Sequence, residues 1–209
     1  MKKNSIKRLT FISIFSAISG LLYVFLKFNL PIFPAFLDVN LSMIPIIICT
    51  FMLGPIDAGI VVIIRFIIKI LLAGSSTGYV GEFADILICL PTAVIAGVIY
   101  KYFKFKHKTL ISFISVSISW IIFAIISNTF INIPFYGNLY GMDMVIGASK
   151  DAFSLISFGL INNVNETNYI YYYILCAVIP FNLMLSIIVN IITVLVHRRL
   201  RTFYDNFLN

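Results

Sequence analysis

Between two long apolar runs, residues 73 to 85 read Ala-Gly-Ser-Ser-Thr-Gly-Tyr-Val-Gly-Glu-Phe-Ala-Asp. Hydroxyls and carboxylates at this density can hydrogen-bond a polar small molecule. Backbone of this kind has no water to bond inside lipid. The stretch must therefore form a tight polar turn at a membrane face or line a cavity. Upstream, Arg65 and Lys69 are four apart and so share one helical face. Measured from Gly54, Arg65 would lie ~16 Å along a helix, near the bilayer centre, where a cation usually faces protein or water. Downstream, Asn128 and Asn132 are one turn apart, and Asn182 follows Pro180 inside an apolar run. An amide offers both donor and acceptor, which suits the edge of a planar heterocycle, or equally a neighbouring helix.

Other chemistries lack their parts. His107 and His197 fall at span ends away from this polar cluster, and neither His-Glu-x-x-His nor Gly-x-Ser-x-Gly occurs. That argues against an intramembrane enzyme. A phosphate-binding Gly-x-x-x-x-Gly-Lys-Ser/Thr loop is also missing, so ATP-driven work would have to come from a partner. Cys49, Cys89 and Cys176 stand singly in apolar runs and read as buried thiols, with no metal or disulfide spacing.

The elements that must position these residues are membrane spans. Of 209 residues, 61% are hydrophobic and 11% charged, against about a quarter charged in a soluble domain. The chain reads as an all-α integral membrane protein, one membrane domain over 1–209. Six spans are placed near Leu9–Leu26, Leu41–Leu53, Ile56–Ala73, Glu82–Tyr100, Leu110–Ile131 and Tyr169–Val196. The first run follows Lys2, Lys3, Lys7 and Arg8 as a signal peptide would, but its length marks a retained span. With six spans, those residues share one side with Lys101, Lys104, Lys106 and Lys108, and with Arg198, Arg199 and Arg201. The opposite loops carry Lys27 and Lys150. The positive-inside rule then makes both termini cytoplasmic. Positive charge gathered at span ends speaks against a nucleic-acid partner.

Several local expectations follow. The loop from Phe28 to Asn40, with Pro31 and Pro34, is too apolar for a free linker and should cover the bundle mouth. Lys69 and Asp85 are expected to pair at matched depth, either as a structural pair or against substrate. A short amphipathic helix is expected around Met144–Phe158, and Asn162 to Asn168 as a solvated loop. Pro180 and Asn182 together predict a kink lining a cavity. Ser13 and Ala17, with Ser16 and Gly20 on a neighbouring stripe, allow close helix approach. They serve packing within the bundle or docking of a separate subunit.

Taken in order, these stretches resemble the riboflavin-specific substrate-binding (S) component of energy-coupling factor (ECF) transporters. The matching features are Pro34-Ala35-Phe36-Leu37-Asp38-Val39-Asn40-Leu41-Ser42-Met43-Ile44-Pro45, Leu53-Gly54-Pro55 and the turn from Gly74 to Asp85. Asn128 with Pro134 and Tyr136, and Pro180-Phe181-Asn182, complete the set. The resemblance implies a six-helix bundle in the cell membrane that binds riboflavin as transported ligand, without a cofactor, on the extracellular side. Its partners would be a transmembrane T subunit, met at Ser13 and Ala17, and two ATPase subunits. Asn128 and Asn182 would bond the polar edge of the isoalloxazine ring. Leu37, Val39, Thr77, Gly78, Glu82 and Asp85 would surround the ring or ribityl chain. The chain departs from the family pattern at Met43, at Asp85 and at Leu185, where lysine is common. An S component for another vitamin or flavin analogue, or a solitary secondary transporter, is the alternative.

Overall fold

The computed structural model describes residues 2–208 apart from Ala35, Ser76, Phe105, Phe158, Leu160, Asn162 and Asn163. Those seven, which fall in the first loop, the polar turn, the basic loop and the segment before the last span, lie outside the described residues. Helix α1 (Lys2–Phe25) leads into a hairpin of β1 (Lys27–Asn29) and β2 (Asp38–Asn40), then α2 (Met43–Met52), α3 (Pro55–Ala73) and α4 (Val80–Tyr102). Next come α5 (Lys108–Ser127), a π-helical turn at Asn128–Asn132, α6 (Ile133–Tyr140) and α7 (Met142–Ile156). The chain closes with α8 (Glu166–Tyr173), a second π-helical turn at Ile174–Val178, and α9 (Ile179–Leu208).

Among the described residues, four helical segments are long and apolar enough to cross a bilayer: Ile6–Phe25, Val80–Tyr102, Lys108–Tyr140 and Glu166–His197. The other two expected spans behave differently. The ten residues of α2 reach only ~15 Å, half the hydrocarbon thickness. All but its last residue are buried, so α2 is a core helix wedged among the others. The 19 residues of α3 are long enough but carry Asp57, Arg65 and Lys69. Each of these charges is answered by another element. Arg8 grips Asp57 from α1 through two bonds of 2.6 Å, and α4 supplies carboxylates to both Arg65 and Lys69.

Those pairs correct the expected Lys69–Asp85 contact. Lys69 bonds Glu82, and Asp85 belongs to Arg65. The two helices are antiparallel neighbours, so the cation nearer the C-terminal end of α3 meets the carboxylate nearer the start of α4. The deeper cation takes the deeper carboxylate. Lysine's flexible stem also reaches outward rather than inward, which favours Glu82.

The first loop is a cover, as expected, but a paired one. β1 and β2 run antiparallel with Phe28 opposite Val39, and between them Phe33 packs edge-on against Phe181 with ring centroids 5.2 Å apart. The amphipathic helix is α7, whose Val145, Ser149, Ala152 and Phe153 are buried. Its Ser149 hydroxyl lies 2.9 Å from the Tyr169 hydroxyl. α8 begins inside the expected solvated loop, because Asn165 caps it: its side chain accepts from the Asn168 N–H, while the Asn168 side chain accepts from the Asn165 N–H.

On α1 the two small-residue stripes separate. Ser16, Ser19 and Gly20 face inward, and a Cβ on Gly20 would stand 2.5 Å from the Ile68 side chain. Ser13 and Ala17 face outward. Just before Pro180, where a kink is expected, the chain makes a π turn, and the Asn182 amide donates to the Val178 carbonyl at 2.8 Å.

Candidate functional site

At the end of the bundle where α3 stops and α4 starts, two adjoining chambers open. The outer, of about 450 Å³, is bounded by the hairpin, the turn before α4, α6 and α7. The inner, of about 140 Å³, runs down between α4, α5 and α9. Phe36, Asp38, Asn40, Gly81, Asn132 and Tyr136 belong to both walls. The outer volume lies in the range of small-molecule sites, ~300–1,000 Å³.

The turn before α4 is built around Glu82. Its carboxylate, buried from solvent, accepts from Lys69 Nζ, from Ser75 Oγ at 2.7 Å and from Thr77 Oγ1 at 3.2 Å. Thr77 Oγ1 in turn accepts from the Gly81 N–H at 3.0 Å. Lys69 also donates to the Gly74 carbonyl at 2.7 Å, tying the end of α3 to the same knot. Gly78 (φ +55°) is left-handed, a conformation that a Cβ disfavours.

Strand alternation sets the hairpin's contribution. Asp38 and Asn40 reach both chambers, while Val39 between them turns into the core with 2% of its surface exposed. Below them sits Arg65, wholly buried. It donates to Ser42 Oγ at 2.6 Å, bonds Asp85, and places its guanidinium 4.7 Å from the Tyr23 ring centroid. Ser42 passes the contact upward, donating to Asn40 Oδ1 at 2.6 Å. One guanidinium thus joins α1, α2 and α4 beneath the cavity.

The inner chamber is where the amides meet. Asn128 donates to the Ala124 carbonyl at 2.8 Å and accepts from the Tyr173 hydroxyl at 3.0 Å and from the Asn132 amide at 3.2 Å. Asn132 Oδ1 is buried without a partner among the described residues. Asn182 stands across from them with Phe181 and Leu185, and Trp120 adds an aromatic wall. The π turn at Asn128–Asn132 helps to aim this pair, since a five-residue hydrogen-bond span rotates successive side chains less than an α turn; such bulges are frequent at functional sites.

Of the residues singled out in the sequence, Thr77 and Glu82 line the outer chamber, and Leu37, Asp85, Asn128 and Asn182 the inner one. Val39 and Gly78 line neither; both support residues that do. The sequence reading missed the aromatic wall. Phe36 lies 5.7 Å from both Tyr136 and Tyr173, and Tyr136 stacks on Tyr140 at 6.2 Å. An aromatic in a proline-bearing loop facing a Tyr-x-x-x-Tyr step was the available signal.

A family profile described as the ECF transporter, substrate-specific component matches residues 7–197. The chain belongs to this family. Such a substrate-specific component is a transport protein of the membrane and not an enzyme, consistent with several apolar crossings here. The riboflavin transporter RibU of Staphylococcus aureus is 28% identical over 197 residues, covering 94% of this chain and 92% of that protein. The riboflavin transporter RibU of Lactococcus lactis subsp. cremoris is 27% identical over 211 residues, covering 95% and 98%. A solved S component of a bacterial ECF transporter superposes with a TM-score of 0.69 at 28% identity, over 95% of this chain and 98% of that one.

Proposed function

We propose that this chain captures riboflavin on the extracellular side of the cell membrane and releases it inward when joined to a transmembrane T subunit and two ATPase subunits. The observation that carries this reading is the set of three amides, Asn128, Asn132 and Asn182, at the floor of the inner chamber. Asn132 Oδ1, unpartnered among the described residues, can accept from one edge of a flat ring, and the second amide hydrogens of Asn128 and Asn182 can donate to it, while Trp120, Phe36 and Tyr136 supply apolar faces. The ribityl chain would then extend into the outer chamber toward Thr77 and Asp38. Leu185 in the inner wall means that the ring's polar edge would be met there by neutral groups. Similarity to two riboflavin transporters along nearly the full chain supports the same ligand.

In this reading 1–209 is a single membrane domain of six crossings; α3 makes the third, and the second is made by the buried α2 together with the loop that leads into it, since α2 alone is too short to span. The basic segments put both termini in the cytoplasm and the chambers outside. The outward Ser13–Ala17 stripe is the docking face for the T subunit. Purification in detergent followed by flavin fluorescence titration tests the core of it. Quenching that saturates at one riboflavin per chain is expected. A preparation that neither carries nor takes up flavin would move the assignment to another vitamin, and uptake by vesicles lacking ATPases would indicate a solitary carrier.

A further inference from the structure

Resting on the riboflavin reading, we propose that the outer chamber selects an uncharged polyhydroxy tail over a phosphorylated one, and that Asp38 is the residue that sets this choice. The chamber wall contains two cations, Lys27 and Lys69. Both are paired: Lys27 with Asp38, and Lys69 with Glu82 and the Gly74 carbonyl. Asp38 is held on the cavity side of its strand, where its carboxylate also accepts from the Asn29 amide at 2.6 Å. Deeper down, Asp85 is answered by Arg65, which lies behind the wall. Among the described lining residues every cation is therefore matched by a carboxylate.

This balance treats two tails differently. Hydroxyls donate to carboxylate oxygens and accept from amide N–H groups; Asp38 keeps acceptor sites beyond those used by Lys27 and Asn29, and Asn40, whose oxygen is taken by Ser42, presents its N–H groups. A phosphomonoester brings about −1.5 to −2 charges near neutral pH. It would have to shed water beside Asp38 while the nearest ammonium is already engaged, a repulsive element that discriminates without touching the ring. Converting Asp38 to a neutral group would leave Lys27 facing the cavity as a phosphate partner.

The test is titration of the purified full chain with riboflavin and with riboflavin 5′-phosphate, read as the ratio of the two dissociation constants. The natural chain should bind the phosphate about tenfold more weakly or worse. Asp38→Asn, which keeps an acceptor for Asn29, should shrink that ratio at least about threefold, and the shrinkage should fade in high salt. Lys27→Gln, at a half-exposed position that tolerates change, should widen it, and carries the test alone if Asp38→Asn does not fold. Equal affinity for the two ligands in the natural chain, or a ratio that neither variant moves while riboflavin still binds, overturns the proposal. Failure of the natural chain to bind riboflavin at all is a different result, and overturns the flavin reading first.

Discussion

The two ends of the bundle solve opposite packing problems. At the far end from the chambers, Phe51 fills the space between helices, 4.7 Å from Tyr100, 5.0 Å from Phe113 and 5.8 Å from His197 by ring centroids. Tilted and edge-to-face rings satisfy one another and need no further support. At the chamber end, carboxylates, amides and hydroxyls surround space. A hollow cannot be held by the contacts it lacks, so its walls are braced from behind. Arg65 bonds Asp85 and Ser42, Lys69 bonds Glu82, and Tyr173 bonds Asn128. α3 shows the contrast within one helix. Its Asp57 and Arg65 are both buried, but Asp57, toward the packed end, is answered by an Arg8 side chain that is 55% exposed, whereas Arg65 is answered by Asp85 in the wall of the inner chamber.

If bracing is what holds the chamber end, removing the brace should do the most damage. Arg65→Met leaves Asp85 and Ser42 without their partner, and breaking a buried pair costs about 3–5 kcal/mol. A large fall in melting temperature in detergent is expected, together with loss of riboflavin binding. Asn128→Ala comes next. It removes the acceptor of Tyr173 and Asn132 as well as a floor amide, so about 1–3 kcal/mol should vanish from binding, read as a rise in the dissociation constant. A variant that melts lower yet binds riboflavin normally would show that the amide floor is mere helix packing.

Much of this division was legible in the sequence, and the misses have physical reasons. The polar turn, the buried cation at mid-helix and the three asparagines stand out because polar groups in an apolar run must have a purpose. Helix limits came within a few residues where Gly54-Pro55 and Gly74 punctuate the chain. The pairing of cations with carboxylates did not, because Lys69 reaches both Glu82 and Asp85 by helix depth alone, and stem flexibility decides. The π turns left no trace in composition: their hydrogen bonds differ from α-helical ones by a single residue of register. The resemblance implies Val39 among the residues around the ligand but carries no strand register. Once three residues pair as β2, alternation hands the cavity to Asp38 and Asn40.

A double-mutant cycle sharpens the bracing argument at lower amplitude. Lys69→Ala with Glu82→Ala should show a coupling of about 1–2 kcal/mol in thermal stability, while Lys69→Ala with Asp85→Ala should be additive within ~0.5 kcal/mol. Coupling in the second cycle and none in the first would restore the pairing that helix depth alone suggested.

The smallest expected effect is at the packed end, and it tests the comparison from the other side. Phe51→Leu keeps an apolar side chain but loses the edge-on contacts with Phe113 and His197, so about 1 kcal/mol of stability should go. Phe51 lines neither chamber, and its neighbours there are rings rather than the amides and ion pairs of the other end. Riboflavin affinity should therefore stay within about twofold of the natural chain once temperature is kept below the lowered transition, because sites without shared partners act independently. Were affinity to fall with stability here, the packed end could not be a passive foundation. The aromatic cluster would then be coupled to the chambers through α2, whose first turn is bonded to Arg65 by way of Ser42 and whose last turn carries Phe51.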